Sequence, residues 1–237
     1  MAAPTPRIVP LGDAAVLAEF SDTLDLAINA RIQQVAEAVR QRKIPWIVDV
    51  VPALGSLALH FDPARYDLGA SPLEAATALI KDCLARKLPN LEGLARTVEV
   101  PVCYDADLAP DLAEVAERCK ISMEEAIQRH CASPHRVLMV GFAPGHPYIG
   151  GLDEKLSVPR RTTPRPSVTA GSVAIANTQS VVYPFTISGG WSIIGRTPLR
   201  IFDAKRDPPA LMGPGDRVRF HAITRKQFDS LTLGAAE

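Results

Sequence analysis

Eleven residues, Gly141-Phe142-Ala143-Pro144-Gly145-His146-Pro147-Tyr148-Ile149-Gly150-Gly151, set four glycines and two prolines around one histidine and one tyrosine. Glycine allows positive φ and close approach of a ligand, and proline fixes the path of the chain. Loops built this way carry binding and catalytic groups on a rigid scaffold. His146 is the residue here best suited to proton transfer or substrate contact, because an unperturbed imidazole titrates near neutral pH. The plainer alternative is a turn that closes a barrel. A second such stretch is Ser188-Gly189-Gly190-Trp191-Ser192-Ile193-Ile194-Gly195-Arg196-Thr197-Pro198. Its paired glycines can bring backbone N–H groups against an anion or carbonyl. Arg196 can hold a carboxylate through a two-pronged hydrogen bond. Against this, Trp191 could fill a core and Arg196 could pair internally.

Between the two stretches stand Arg160, Arg161 and Arg165, then Gln179 and Tyr183. The three arginines suit a carboxylate, a phosphate or an acidic partner surface, and equally a charged hairpin edge that resists aggregation. Gln179 offers an amide both a donor and an acceptor. The histidines (60, 130, 135, 146 and 221) include no H-E-x-x-H and no i, i+4 pair, so no local helical zinc site is indicated. Cys83, Cys103, Cys119 and Cys131 form no C-x-x-C pair and read as core thiols. There is no Walker A loop, no G-x-G-x-x-G fingerprint and no G-x-S-x-G elbow. From the residues alone, a polar loop-lined pocket emerges without a complete catalytic set.

The elements that must position these loops fall into two groups. Strands are expected at 14–20, 46–51 and 56–61, the last with Leu57, Leu59 and Phe61 on one face and His60 on the other. Helical spacing of Ile28, Ile32, Val35 and Val39 gives a helix over 26–42. Ser71, Pro72 and Glu74 form a capping box that opens a second helix bearing Leu73, Ala76, Ile80 and Leu84. With a strand at 97–102 the order is β-α-β-β-α-β, the split βαβ pattern of a ferredoxin-like sandwich, unless that last strand opens the second domain. The linker falls within 87–96. Helices at 111–119 and 122–130 follow, the second opened by the Ser122/Glu125 box. Short β-type runs at 136–140, 172–176, 192–194, 199–202 and 217–222, separated by dense turns, then indicate a barrel or compact β fold. The expectation is an α+β protein with an N-terminal α/β domain over 1–95 and a β domain over 96–237.

The 26 basic and 26 acidic residues cancel and no basic run stands out, which argues against a nucleic-acid partner. Met1 to Pro10 has no signal-peptide core, and no apolar stretch approaches the roughly 20 residues of a membrane helix, so the expected location is the cytoplasm.

The loops carry a family resemblance. Gly141-Phe142-Ala143-Pro144-Gly145 with Tyr148-Ile149-Gly150-Gly151-Leu152 resembles the "GF-x-PG-x-x-YLGGL" signature of the family of 5-oxoprolinase B subunits. That family is also described as allophanate hydrolase subunit 1, KipI-type, or carboxyltransferase subdomain C and D. Pro159-Arg160-Arg161-Thr162-Thr163-Pro164-Arg165, Ala170-Gly171-Ser172-Val173, Gln179, Tyr183-Pro184, Gly189-Gly190-Trp191, Ile194-Gly195-Arg196-Thr197-Pro198 and Gly215-Asp216-Arg217-Val218 continue the likeness. The resemblance implies a cyclophilin-like C-terminal β-barrel, a partner that carries carboxyltransferase subdomains A and B, and a LamB-type third component. It implies ATP-dependent opening of the lactam of 5-oxoproline to glutamate by the complex. Two other activities occur in the family: biotin-dependent carboxyl transfer to urea or a related amide, and KipI-type inhibition of a histidine kinase. Under the lactam-opening activity the residues already named supply the catalytic candidates, His146 and Gln179. The substrate contacts become Gly145, Tyr148, Arg165, Tyr183, Gly190, Trp191, Arg196 and Thr197, with Gln179 meeting the lactam amide and Arg165 or Arg196 receiving the carboxylate. No metal site is implied. The sequence departs from the pattern at His146, where phenylalanine is usual, at 177–181, which replace "GGQTG", and at Ser188, which replaces a proline.

Overall fold

A computed structural model describes residues 5–67, 69, 71–93 and 95–234. The chain divides into two compact units, Met1–Leu94 and Ala95–Glu237. The first contains β1 (Arg7–Pro10), β2 (Ala15–Glu19), α1 (Leu26–Arg40), β3 (Ile47–Pro52), β4 (Ser56–Phe61) and α2 (Pro72–Ala85). Its four strands form one antiparallel sheet in the order β1-β2-β4-β3. Alternation along β4 buries Leu57, Leu59 and Phe61 against Ile32, Val35 and Val39 of α1 and Ala76 and Ile80 of α2. The Asp25 carboxylate caps α1, accepting from the N–H groups of Ala27 and Ile28.

Two expectations are corrected here. Ser71 precedes α2 but its side chain makes no capping hydrogen bond. The strand at 97–102 opens the second unit, the alternative left open; β1 occupies the edge beside β2, so the element order of the first unit is β-β-α-β-β-α and not β-α-β-β-α-β. β1 escapes sequence reading because it is four residues long, half-exposed, and ends in a proline.

In the second unit β5 (Thr97–Val102) leads to α3 (Leu112–Cys119) and α4 (Met123–Ala132). Next come β6 (Arg136–Val140), β7 (Pro147–Gly150), β8 (Arg165–Val168), β9 (Ser172–Ala176), β10 (Gln179–Val182), β11 (Ile187–Gly189), β12 (Ser192–Arg196), β13 (Arg217–Ala222) and α5 (Arg225–Gly234). Seven strands share one sheet in the order β12-β9-β10-β7-β6-β13-β5, antiparallel throughout except that β5 runs parallel to β13. Just past β5, Cys103 and Arg196 exchange both backbone hydrogen bonds at 2.9 Å, drawing the two edges of the sheet into a nearly closed barrel. Closure removes edge strands that would otherwise pair with other chains. Gly195 makes this seam possible: a Cβ there would lie 2.6 Å from Val102 Cγ1 and 3.1 Å from the Cys103 carbonyl oxygen. The expected strand at 199–202 is absent; only Phe202 bridges, to Ala210.

The interior is filled by Val100, Val102, Val137, Ile149, Val173, Ile175, Ile194 and Phe220, to which α3 and α4 add Leu112, Val115 and Ala126. One polar cluster is enclosed with them. His130 Nδ1 lies 2.8 Å from Tyr104 Oη and its Nε2 lies 3.3 Å from Ser180 Oγ, while its carbonyl accepts from His135 Nε2 at 2.8 Å. Both rings pack on Phe220. Burial pushes the imidazole of His130 well below its usual range and that of His135 down to about 4. On the other face of β9, β10 and β12, Ala174, Val181, Tyr183 and Ile193 form a separate cluster with Val168 and Trp191. The two-stranded ribbon of β8 and β11 contributes Val168 and Ile187 to it. No helix among the described residues is long and apolar enough to cross a membrane.

Gly195→Ala is expected to force the seam apart and lower stability by about 1–3 kcal/mol, read as a lower urea midpoint. An unchanged midpoint would show that the seam tolerates a methyl group. The buried histidines set a pH dependence. Above about pH 6.5 they are neutral in both folded and unfolded chains and contribute no slope. As pH falls from about 6.5 towards 4, the unfolded chain binds protons that the native barrel excludes, so stability must decline. Denaturation midpoints that stay flat between pH 7 and 5 would contradict this.

Candidate functional site

The site is organised by a residue that sequence reading passed over. Asp111 stands at the start of α3, where an aspartate ordinarily caps the helix, yet its side chain makes no such bond. It is buried, and it accepts from Arg165 Nη1 and Nη2 (2.8 and 2.7 Å), Arg161 Nη1 (3.2 Å) and the Ile193 N–H (2.7 Å). A buried carboxylate is costly unless paired and hydrogen-bonded, and here two guanidinium groups and one amide satisfy it. Arg161 also reaches Glu114 at 3.0 Å, and its backbone N–H donates to the Gly190 carbonyl at 2.8 Å. The Arg160–Arg165 segment is thereby fastened beside Gly190 and Trp191, and Asp111 holds the guanidinium of Arg165 above its ordinary range.

Against this segment lies a cleft of about 280 Å³, whose other walls are the Gly141–His146 turn and the Ser188–Trp191 segment. The turn is tied by hydrogen bonds from Gly141 N–H to the His146 carbonyl and from His146 N–H to the Ala143 carbonyl. Phe142 sits at its tip with φ 72° and 68% exposure. A bulky side chain in that conformation is uncommon and marks strain held by its surroundings.

His146 forms the floor. Its ring is 5.6, 5.2 and 5.3 Å from those of Phe142, Tyr148 and Tyr183. It is 3% exposed and its Nδ1 has no hydrogen-bond partner. Burial pushes its pKa down to about 4, so at neutral pH it is an uncharged imidazole. Tyr183 is pushed up to about 12, chiefly by burial, and remains a phenol. Its Oη packs so tightly on Gly189 that a Cβ there would lie 2.1 Å away. Trp191 meets Tyr148 edge to face at 6.0 Å, and Arg160 lies over the indole with Cζ 5.3 Å from the ring centroid. Among the described residues no carboxylate lines this cleft. Among the described residues no group of three or more histidine, cysteine or acidic side chains is placed to hold a metal ion.

The structure brings His146, Tyr148, Tyr183, Gly190 and Trp191 together in the cleft. Five other expected site residues lie elsewhere. Arg165 is occupied by Asp111. Arg196 donates from Nε to the Ala170 carbonyl and its backbone forms the barrel seam. Thr197 is buried, donating its N–H to the Gly171 carbonyl while its Oγ1 accepts from Leu199. Gly145 packs on Phe202, where a Cβ would lie 2.9 Å from that ring. Gln179 is on the same face of β10 as Val181 and Tyr183, by alternation with interior Ser180, but four positions from Tyr183 and outside the cleft lining. It does not meet His146, and its buried Nε2 has no partner. Phe142, Pro164 and Ser188 join the lining although none was among the expected site residues.

Residues 6–212 match the family described as carboxyltransferase domain, subdomain C and D, and the chain belongs to that family. It is 36% identical over 229 residues to the B subunit of 5-oxoprolinase from Bacillus subtilis (strain 168), covering 94% of this chain and 95% of that protein. It is 37% identical over 215 residues to the B subunit of 5-oxoprolinase from Escherichia coli O157:H7, covering 90% and 94%. The crystal structure of TTHA0988 superposes with a TM-score of 0.75 at 34% identity, over 89% of this chain and 40% of that one, so this chain spans about two fifths of that protein.

Asp111→Asn should strand the Arg165 guanidinium and leave Arg161 to Glu114 alone. The expected loss is about 3 kcal/mol, the lower end for a broken buried pair because both arginines are partly exposed. Tryptic cleavage within 160–165 should accelerate. Unchanged proteolysis would show that Asp111 does not hold this segment.

Proposed function

We propose that this chain is the B subunit of an ATP-dependent 5-oxoprolinase, contributing the Phe142–Trp191 cleft to the site where the lactam of 5-oxoproline is opened to glutamate. The observation that carries this reading is its end-to-end likeness to two bacterial proteins of that name. The cleft is consistent with it. Its aromatic walls suit a small flat ring, and its polar edge combines a neutral imidazole, a phenol and the backbone of Gly189 and Gly190. Ring opening adds water across the amide C–N bond, giving an amine and a carboxylate. In this chain His146, uncharged at neutral pH, offers a ring nitrogen to the amide or to water, and Tyr148 and Trp191 orient the ring.

The remaining parts belong to partners: a carboxyltransferase A/B protein (the C component of 5-oxoprolinase) and a LamB-type protein (the A component), working with this chain in the cytoplasm. ATP would be bound there as well. Arg161 and Arg165 are occupied by Asp111 and Glu114, and the sequence has no Walker A loop. The domains in this reading are 1–95, a ferredoxin-like sandwich with β1 standing in for the usual last strand, and 96–237, a cyclophilin-like barrel.

The three components purified together should release glutamate from 5-oxoproline only when ATP and this chain are both present. Tyr183→Phe should leave assembly intact and lower kcat/KM about tenfold, the cost of one hydrogen bond in a desolvated site. Activity without this chain, or activity that depends on a biotinylated carrier instead of 5-oxoproline, would overturn the assignment.

A further inference from the structure

We infer that Arg160 is the carboxylate anchor of the cleft and makes the site select anionic lactams over neutral ones. The inference rests on the proposed function and assigns to Arg160 the role expected of Arg165 or Arg196, both of which lie outside the cleft lining. Asp111 takes both terminal nitrogens of Arg165 and shares Arg161 with Glu114. Arg196 is turned to the Ala170 carbonyl. Arg160 lines the cleft, and among the described residues no carboxylate lies within ion-pairing distance of it. Its guanidinium stands over the Trp191 indole, and such stacking leaves the N–H donors at the planar edge available. That edge matches the two oxygens of a carboxylate.

The position of Arg160 is set rather than incidental. Pro159 precedes it, and the next residue is fixed through its backbone to Gly190 and through its side chain to Asp111. Trp191 is held in turn by Tyr148. Among the described residues no acidic side chain lines the cleft, and Glu114, which lines the neighbouring cavity with Arg160, is paired with Arg161 and Arg118. The buried, unpartnered Nδ1 of His146 offers a second polar contact. An unsatisfied buried nitrogen calls for an explanation, and a ligand that reaches it supplies one. A cation at one side, an open nitrogen on the floor and aromatic walls between them describe a small ring that bears a carboxylate and an amide.

The test compares binding of 5-oxoproline with binding of 2-pyrrolidinone, the same lactam without its carboxylate, to the assembled complex by ligand-observed NMR. Wild type should favour 5-oxoproline by about tenfold to a hundredfold, the range for a charge-assisted pair. Arg160→Ala should remove that preference while leaving 2-pyrrolidinone binding unchanged, and Arg160→Lys should restore part of it. Arg160 is exposed, so neither variant should impair folding. A preference that survives Arg160→Ala, or is absent from wild type, overturns the anchor. ATP-dependent glutamate release measured on the same samples separates the two readings. Preference without turnover contradicts the proposed function and leaves the anchor standing; turnover with a preference that survives Arg160→Ala does the reverse.

Discussion

The Asp111 carboxylate is the interaction on which the site depends. It is buried and acts on three parts of the chain at once: β12 through the Ile193 amide, β8 through Arg165, and the segment before β8 through Arg161. Charge pairing in a partly dry setting is directional and unforgiving, since a partner left alone would be an uncompensated charge. That constraint fixes the path of residues 160–165, and the path places Arg160 and Pro164 beside Trp191. A flexible arginine-rich loop thereby becomes a wall of defined position. Preorganisation of this kind lowers the ordering cost of binding.

The barrel supplies the other half of the geometry. Alternation along β10 sends Ser180 and Val182 inward and Val181 outward, with Tyr183 following on the outer side. The cleft is therefore built on the outer face of the sheet, over a core that stays packed, and not inside the barrel. The interior polar cluster of His130, His135, Tyr104 and Ser180 is sealed from solvent and shares no lining with the cleft. The same burial that keeps those histidines neutral keeps His146 neutral, but only His146 adjoins open space.

How much was legible in the sequence divides along physical lines. Local chemistry was readable: the periodicity of α1, the alternation of β4, the Ser122 cap of α4 and the glycine- and proline-rich turns all act within a few residues. Five of the ten expected site residues converge because they flank those turns. What was not readable depends on partners far apart in the chain. Asp111 looks like an ordinary helix start, and its arginines lie some fifty positions downstream. Three neighbouring arginines are equivalent as letters, and only the fold separates the two that Asp111 neutralises from Arg160, which it leaves to the cleft. Arg196 and Thr197 share a motif with Trp191 but serve the barrel seam, because the chain passes from cleft to seam within one strand. The strand at 97–102 was legible but its sheet was left between two alternatives, since pairing with β13 joins residues more than a hundred positions apart.

The most direct test of the account is a crystal structure of the assembled complex with 5-oxoproline bound. The account predicts the lactam ring against the Tyr148–Trp191 pair on the His146 side of the cleft, its carboxylate on Arg160, and the Arg161 and Arg165 pairs to Asp111 unbroken. A ligand seated at Gln179 or on Arg196, or one that displaces Asp111 from its arginines, would contradict it.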